Sequence, residues 1–230
     1  MHIFWRLILA HFLADFTLQT NFIAAWKRKN NWGVAVHSLV FLACAAVFCW
    51  NDLAQVWLRP RSAVIYGWMS IVLLAILHYL EDVWRVWTIR RLNSPDSFFF
   101  FLWDQFIHCF LIFVFSPLQS VFSLEKGIML TIIFILATHF TTIFVYYMEK
   151  DIFGQADISA GENYYSMVER LCTVILLLLP GWWALSFLGV WLIRFILSRF
   201  SRESGFSWLN HAIGSSMAFM FGIVARLLIY

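Results

Sequence analysis

The sequence predicts an all-α fold, a polytopic transmembrane bundle of about eight spans, and three observations carry that prediction. Hydrophobic residues make up 62% of the 230 and charged residues only 13%, against about 45–50% and roughly 25% in an ordinary soluble domain. Gly and Pro number 10 and 4, too few for a linker-rich or collagen-like chain. Apolar runs recur along the whole length, and the short polar stretches between them leave no room for a separate soluble domain. The expected spans lie at about 2–20, 33–50, 63–81, 97–116, 127–148, 165–180, 183–198 and 207–229. Spans one to four fill 1–116 and spans five to eight fill 127–229, within one integral membrane domain covering 1–230.

Taken in order, the first run carries an Arg near its start, Asp15 inside it and no small-residue cleavage site. It therefore reads as a retained helix and not as a signal peptide. The run Phe98 to Phe101 suits a lipid-facing start to the fourth span. Pro180-Gly181 separates two half-length apolar runs, and there it makes a hairpin between short spans or kinks one long helix over 165–198, which lowers the count to seven. The hairpin is the preferred reading. Cys44, Cys49, Cys109 and Cys172 lie in apolar stretches without CxxC spacing, as small buried hydrophobes with free thiols.

Charge sets the expected orientation. Sixteen Lys and Arg against 13 Asp and Glu give +3, and the basic residues cluster between apolar runs, which is topology information and no nucleic-acid footprint. Lys27, Arg28 and Lys29 follow the first span, Arg85, Arg90 and Arg91 the third, and Arg194, Arg199 and Arg202 the seventh. With eight crossings and the N-terminus outside, all three clusters face the cytoplasm. The expected location is the bacterial inner membrane, with membrane lipids as the surroundings.

Ionisable groups in such helices cost a few kcal/mol each on insertion scales, so each raises a functional hypothesis. His11 and Asp15, His78 and Asp82, and Asp104 and His108 all stand at i, i+4, which stacks imidazole and carboxylate on one helix face with Cβ atoms about 6 Å apart. His37 adds a seventh ligand, and Gln19 and Gln105 lie close to Asp15 and Asp104 in sequence. In the expected topology these groups share one end of the membrane. A single such residue is more often an interhelical hydrogen bond worth less than about 1 kcal/mol; three equal pairs at one depth favour metal or proton chemistry. Mixed imidazole and carboxylate ligation suits Zn2+ best, with Mn2+ or Fe2+ also compatible, as one or two ions. Further along, Glu169-Arg170 enters the sixth span. There Arg170 offers a guanidinium fork to an anionic head group, or anchors the helix at the interface. His2 and His139 take ordinary structural roles, and His211 stands near enough to the same end to join the site.

Leu9-Ala10-His11-Phe12-Leu13-Ala14-Asp15-Phe16-Thr17-Leu18-Gln19, followed by Lys27 and His37, resembles the start of the bacterial domain-of-unknown-function family 3307 of integral membrane proteins. Leu77-His78-Tyr79-Leu80-Glu81-Asp82 is similar to its His-x-x-x-Asp element, and Trp103-Asp104-Gln105-Phe106-Ile107-His108 to its Asp-Gln-x-x-His element. Gly161 with Glu169-Arg170-Leu171 resembles a further pattern of longer members, with Tyr164, Tyr165 and Ser166 where small glycines are usual. The resemblance runs from about residue 9 to 171 and implies membership without an activity.

The residues themselves point first to a metal-dependent hydrolase acting on an amphiphilic, phosphate-bearing lipid at the cytoplasmic leaflet. His11, His37, His78 and His108 with Asp15, Asp82 and Asp104 would divide between the ions, the three aspartates serving catalysis as well. Gln19, Gln105, Glu169 and Arg170 would contact substrate. HExxH, G-x-S-x-G and Walker-type motifs are absent, which leaves the chemistry to the metal. The rival readings are a transporter of divalent cations or protons through the same cluster, and a non-catalytic membrane subunit stapled by a structural metal.

Overall fold

The computed structural model describes residues 2–61, 63–117, 124–154, 160–200 and 208–230, with 160–163 and 197–200 described for the backbone alone. They fall into two compact units, Met1–Ile128 and Met129–Tyr230.

In the first unit α1, His2–Phe12, runs into a π-helical turn over Leu13–Thr17. One extra residue in the turn rotates the next part of the helix about its axis, and such turns recur at functional sites. Here the turn carries Asp15. After Leu18 the chain bends by 88° into α2, Asn21–Lys29, whose start is capped by Thr20 accepting from Ile23 N at 3.3 Å. Asn30 then caps α3, Asn31–Phe48, by accepting from Trp32 N at 3.0 Å. Gly33 lets the two helices meet. A Cβ on Gly33 would stand 2.5 Å from Lys27 N and from Trp26 C.

A two-stranded antiparallel ribbon, β1 Val56–Leu58 with β2 Ile65–Tyr66, comes next, an addition to the all-helical pattern read from the sequence. It leads into α4, Gly67–Arg91, and then α5, Phe98–Phe115, capped by Ser97 accepting from Phe100 N at 3.3 Å. Far from the basic residues of α2 and α4, Arg6 grips Glu125 with Nε–Oε2 at 2.9 Å and Nη2–Oε1 at 2.6 Å, and reaches Asp52 at 3.0 Å. The Arg6 hydrogen bonds hold the Glu125 carboxyl below its ordinary range. Their contribution is therefore present at neutral pH and is lost as the pH falls through that lowered value.

The second unit begins inside α6, Lys126–Ile135, which continues through a π-helical turn, Leu136–Phe140, into α7, Thr141–Phe153. Gly154, at φ 71°, closes α7 in the left-handed region that favours glycine. Next come α8, Ala160–Leu177, a 3-10 turn Gly181–Ser186, α9, Phe187–Phe200, and α10, Trp208–Ile229. Ile133, Ala137, Val174 and Ala225 form its apolar core. Small residues let α10 lie close on α8, with Gly222 directly under the Leu177 side chain. Trp191 Nε1 donates to Thr173 Oγ1 at 3.3 Å, so the chain turns back at Pro180-Gly181 and α8 and α9 form the hairpin.

The expectation of eight spans does not hold. Among the described residues four helices are long and apolar enough to cross a membrane, Asn31–Phe48, Phe98–Phe115, Lys126–Phe153 and Trp208–Ile229, and five if the bent pair of α1 with α2 is one span. The segment read as a third span is α4, whose second half carries His78, Glu81, Asp82, Arg85, Arg90 and Arg91. α8 holds Glu169 and Arg170, and α9 has only 14 residues. Apolar runs are therefore a wider class than spans. Of the third basic cluster, Arg202 lies outside the described residues and Arg199 is described for its backbone alone.

Many large apolar side chains face outward, among them Phe99 at 79% exposure and Trp182 at 87%, while His11, Asp15, His37, His78, Asp82, Asp104 and His108 are buried. That arrangement is opposite to a soluble protein and suits a surface covered by lipid.

Gly33→Ala tests the α2–α3 approach. Because its neighbours are backbone atoms, the added methyl forces the helices apart, and the expected cost is about 1–3 kcal/mol, read as a lower unfolding midpoint in detergent.

Candidate functional site

The i, i+4 pairs meet inside the first unit. His11, Asp15, His37, His78, Asp82, Asp104 and His108 are all buried, none more than 6% exposed. The π-helical turn swings Asp15 inward so that its Oδ1 lies 3.3 Å from His11 Nδ1, 3.3 Å from His37 Nε2 and 3.7 Å from His78 Nε2. Three histidines from α1, α3 and α4 thus converge on one carboxylate oxygen. Asp82 Oδ2 sits 3.6 Å from His78 Nε2 and 3.7 Å from His37 Nε2. His108 stacks on His78 with ring centroids 4.1 Å apart, and Phe41 covers the other face of His78 at 5.1 Å.

Two kinds of side chain hold this array. Gln105 binds across helices, its Nε2 donating to Asp104 Oδ2 at 3.1 Å and Asp15 Oδ2 at 3.3 Å while its Oε1 meets His11 Nε2 at 3.2 Å. Cations hold the outer carboxylates: Lys27 Nζ lies 2.5 Å from Asp82 Oδ1, and Arg85 Nη1 lies 2.7 Å from Asp104 Oδ2. Gln19 sits at the bend beyond the helix, and its buried Oε1 makes no hydrogen bond.

Three residues outside the expected ligand set belong to the cluster. Glu81 Oε2 lies 3.2 Å from His108 Nε2; it was legible as the third turn-mate of His78, at i+3, beside the Asp82 already chosen. Lys27 and Arg85 carried only a topology reading, although Lys27 stands in the motif that resembles the family.

The ligand atoms fall into three overlapping groups, each with its atoms within 4.8 Å of one another: Asp15, His37 and His78; His11, His78 and His108; and Glu81, Asp82, Asp104 and His108. Two ligands on one ion at Zn–N and Zn–O distances of about 2.0–2.2 Å stand roughly 3.4 Å apart. The Asp15 contacts of 3.3 and 3.7 Å match that spacing. Because the second group shares His78 with the first and His108 with the third, at most the first and third can be filled together. The four cysteines take no part in these groups.

Charge adds a constraint. Asp15, Glu81, Asp82 and Asp104 bring four carboxylates, and Lys27 and Arg85 bring two cations. Arg85 is shared with Asp96 at 3.3 Å, so the carboxylates outnumber the cations, and a divalent ion or protons on the imidazoles would balance the excess. Nδ1 of His37 and Nδ1 of His108 are buried without a hydrogen bond, a costly state for polar atoms unless something else engages them. The wall behind them is apolar: a void of only about 10 Å³ is lined by Phe41, Leu74, Leu111 and Ile112 with His78 and His108.

The remaining sequence candidates have other partners. Glu169 and Arg170 stand on α8 in the second unit, where His211 joins Glu169 at 3.3 Å. His2 lies 3.9 Å from Asp52, and His139 Nδ1 lies 3.0 Å from Thr138 Oγ1.

Residues 3–136 match the family described as "Protein of unknown function (DUF3307)", and the chain belongs to that family. The match covers every member of the buried cluster. No curated protein and no solved structure matches the chain.

The Lys27–Asp82 pair gives a direct check. Lys27→Met or Asp82→Leu alone strands one charge in the interior and costs about 3–5 kcal/mol, and the double replacement Lys27→Met with Asp82→Leu recovers most of that loss. Equilibrium unfolding of the four proteins in one detergent measures the coupling.

Proposed function

We propose that this member of the DUF3307 family is a membrane-embedded metalloprotein of the bacterial inner membrane, a metal-dependent hydrolase of an amphiphilic, phosphate-bearing lipid at the cytoplasmic leaflet. The convergence of His37 and His78 on Asp15 at ligand-to-ligand distances carries the reading. The basic residues of α2 and α4 lie at the site's end of the first unit, which accords with an N-terminus outside and this end in the cytoplasm.

Asp15, His37 and His78 would hold the ion, and Glu81, Asp82, Asp104 and His108 offer a second position. A Zn2+ held there supplies Lewis acidity and a water acidified to near neutral pH, the usual means of metal-assisted hydrolysis. Gln105 fixes Asp15 and His11 relative to each other, an outer contact of the kind that orients metal ligands. Lys27 and Arg85 engage Asp82 and Asp104, so those two carboxylates are held ionised and are the poorer ligands, better suited to accepting a hydrogen bond from a water. The apolar wall around His78 and His108 keeps the field of these groups strong.

One observation favours the transporter reading. Imidazoles and carboxylates alternate within 3.3–3.7 Å from His11 through Asp15 and His37 or His78 to Asp82, a chain that also suits proton relay.

Mass-spectrometric metal analysis of the purified full-length chain separates these. The expected result is one or two Zn, Mn or Fe per chain, lost in Asp15→Ala, His37→Ala and His78→Ala, with phosphate released from phosphatidic acid by the loaded wild type alone. A wild type free of metal after supplementation, with proton flux in liposomes abolished by His78→Ala, overturns the hydrolase in favour of the relay. Tight metal without turnover would leave a structural staple.

A further inference from the structure

The Glu169-Arg170 pair of the second unit takes no part in that reading, and its surroundings differ sharply for the two residues. Glu169 is satisfied: its Oε1 accepts from Ser215 Oγ at 3.1 Å and lies 3.3 Å from His211 Nδ1, and its Oε2 lies 3.6 Å from Arg194 Nε. Arg170 is not. It is the largest side chain among those fully enclosed, only 2% exposed, yet its one hydrogen bond runs from Nη2 to Thr142 Oγ1 at 2.5 Å. Nε and Nη1 have no partner, and no carboxylate lies within ion-pair distance of the guanidinium among the described residues.

Two readings of Arg170 were open from the sequence, an interface anchor and a partner for an anion. An anchor snorkels, placing its charged head in water, and a side chain 2% exposed does not. Burying a cation with one neutral hydroxyl is costly, and a core residue without chemistry would be served by Leu or Met. Glu169 is the nearby opposite charge and is shared with Arg194, so it offsets the Arg170 cation only in part. α10 approaches the guanidinium through Gly214, where a Cβ would lie 3.4 Å from Nη1, so the side chain is accommodated on that flank and not squeezed out.

We propose that Arg170 is the centre of an oxyanion-binding site in the second unit, taking a phosphate-type group. A guanidinium pairs two oxygens of one phosphate through one of its edges, Nε with Nη2 or Nη1 with Nη2, so an anion at the edge that Thr142 leaves open engages an unpartnered nitrogen and brings opposite charge in one step. Thr142 holds the fork in place from α7, and Ser215, His211 and Arg194 keep the Glu169 carboxylate turned away from it. The group is carried by a free phosphate ion or by a lipid headgroup, and the chemistry of recognition is shared.

The test is calorimetric titration of inorganic phosphate into the full chain in zwitterionic nanodiscs, beside thermal unfolding in nanodiscs with and without phosphatidic acid. Saturable phosphate binding supports a free anion; a raised midpoint with phosphatidic acid alone supports the lipid. In either case Arg170→Lys, which keeps the charge and loses the fork, should weaken the effect at least tenfold, Thr142→Val should weaken it less, and Arg170→Met should abolish it. If Arg170→Met does not fold, the other two variants carry the comparison. His78→Ala, which disables the proposed metal centre, should leave the effect intact. No response in the wild type to either probe overturns the inference, as does a response lost in His78→Ala and kept in Arg170→Lys, which would place the anion at the metal.

Discussion

The first unit is organised by the need to compensate charge in its interior. Four carboxylates and four imidazoles lie packed among apolar helices, and each ionised group there is tolerable only if opposite charge or a ligand bond stands beside it. Lys27 and Arg85 meet this demand at the outer carboxylates. That requirement explains the otherwise odd geometry around them. The 88° bend after Leu18 and the close contact at Gly33 bring α2 down beside α3, so that Lys27 can reach Asp82 on α4. The π-helical turn in turn brings Asp15 onto His37 and His78.

The same interior has consequences for reactivity. Ligand groups that share His78 and His108 are coupled, because an imidazole nitrogen committed to one position is withdrawn from the other. Stacking of His78 between His108 and Phe41 fixes its ring plane, which suits a ligand that must not rotate. A metal centre and a proton relay ask for the same residues, since both need neutral imidazoles close to carboxylates; what separates them is whether a divalent ion or protons supply the missing positive charge.

The second unit solves a related problem differently. Glu169 is engaged by neighbours on α9 and α10, while the guanidinium next to it in sequence is enclosed with two nitrogens unpartnered. Adjacent residues on a helix point about 100° apart, so Glu169 and Arg170 make no direct ion pair, although the Glu169 charge is felt at Arg170. Small residues along α10 make this possible by letting a large side chain lie flat between helices.

The sequence by itself determined the helical, apolar character of the chain, its family, and the His and Asp residues of the buried cluster. Helical spacing is local: His11 with Asp15, His78 with Asp82 and Asp104 with His108 share faces whatever the tertiary arrangement. It also determined the turn at Pro180-Gly181, where local backbone restriction acts. Tertiary structure alone decided the rest. Eight apolar runs give, among the described residues, four or five helices able to cross a membrane, because composition does not say where a helix ends or bends. Lys27 and Arg85, read as surface topology charges, became counter-ions because α2 folds back on the bundle, and Glu81 entered the site through His108 on another helix. Arg170 could be read two ways until its burial was seen. Contacts between helices depend on bends, crossing positions and small residues acting together over long separations, and no local pattern in the chain records them.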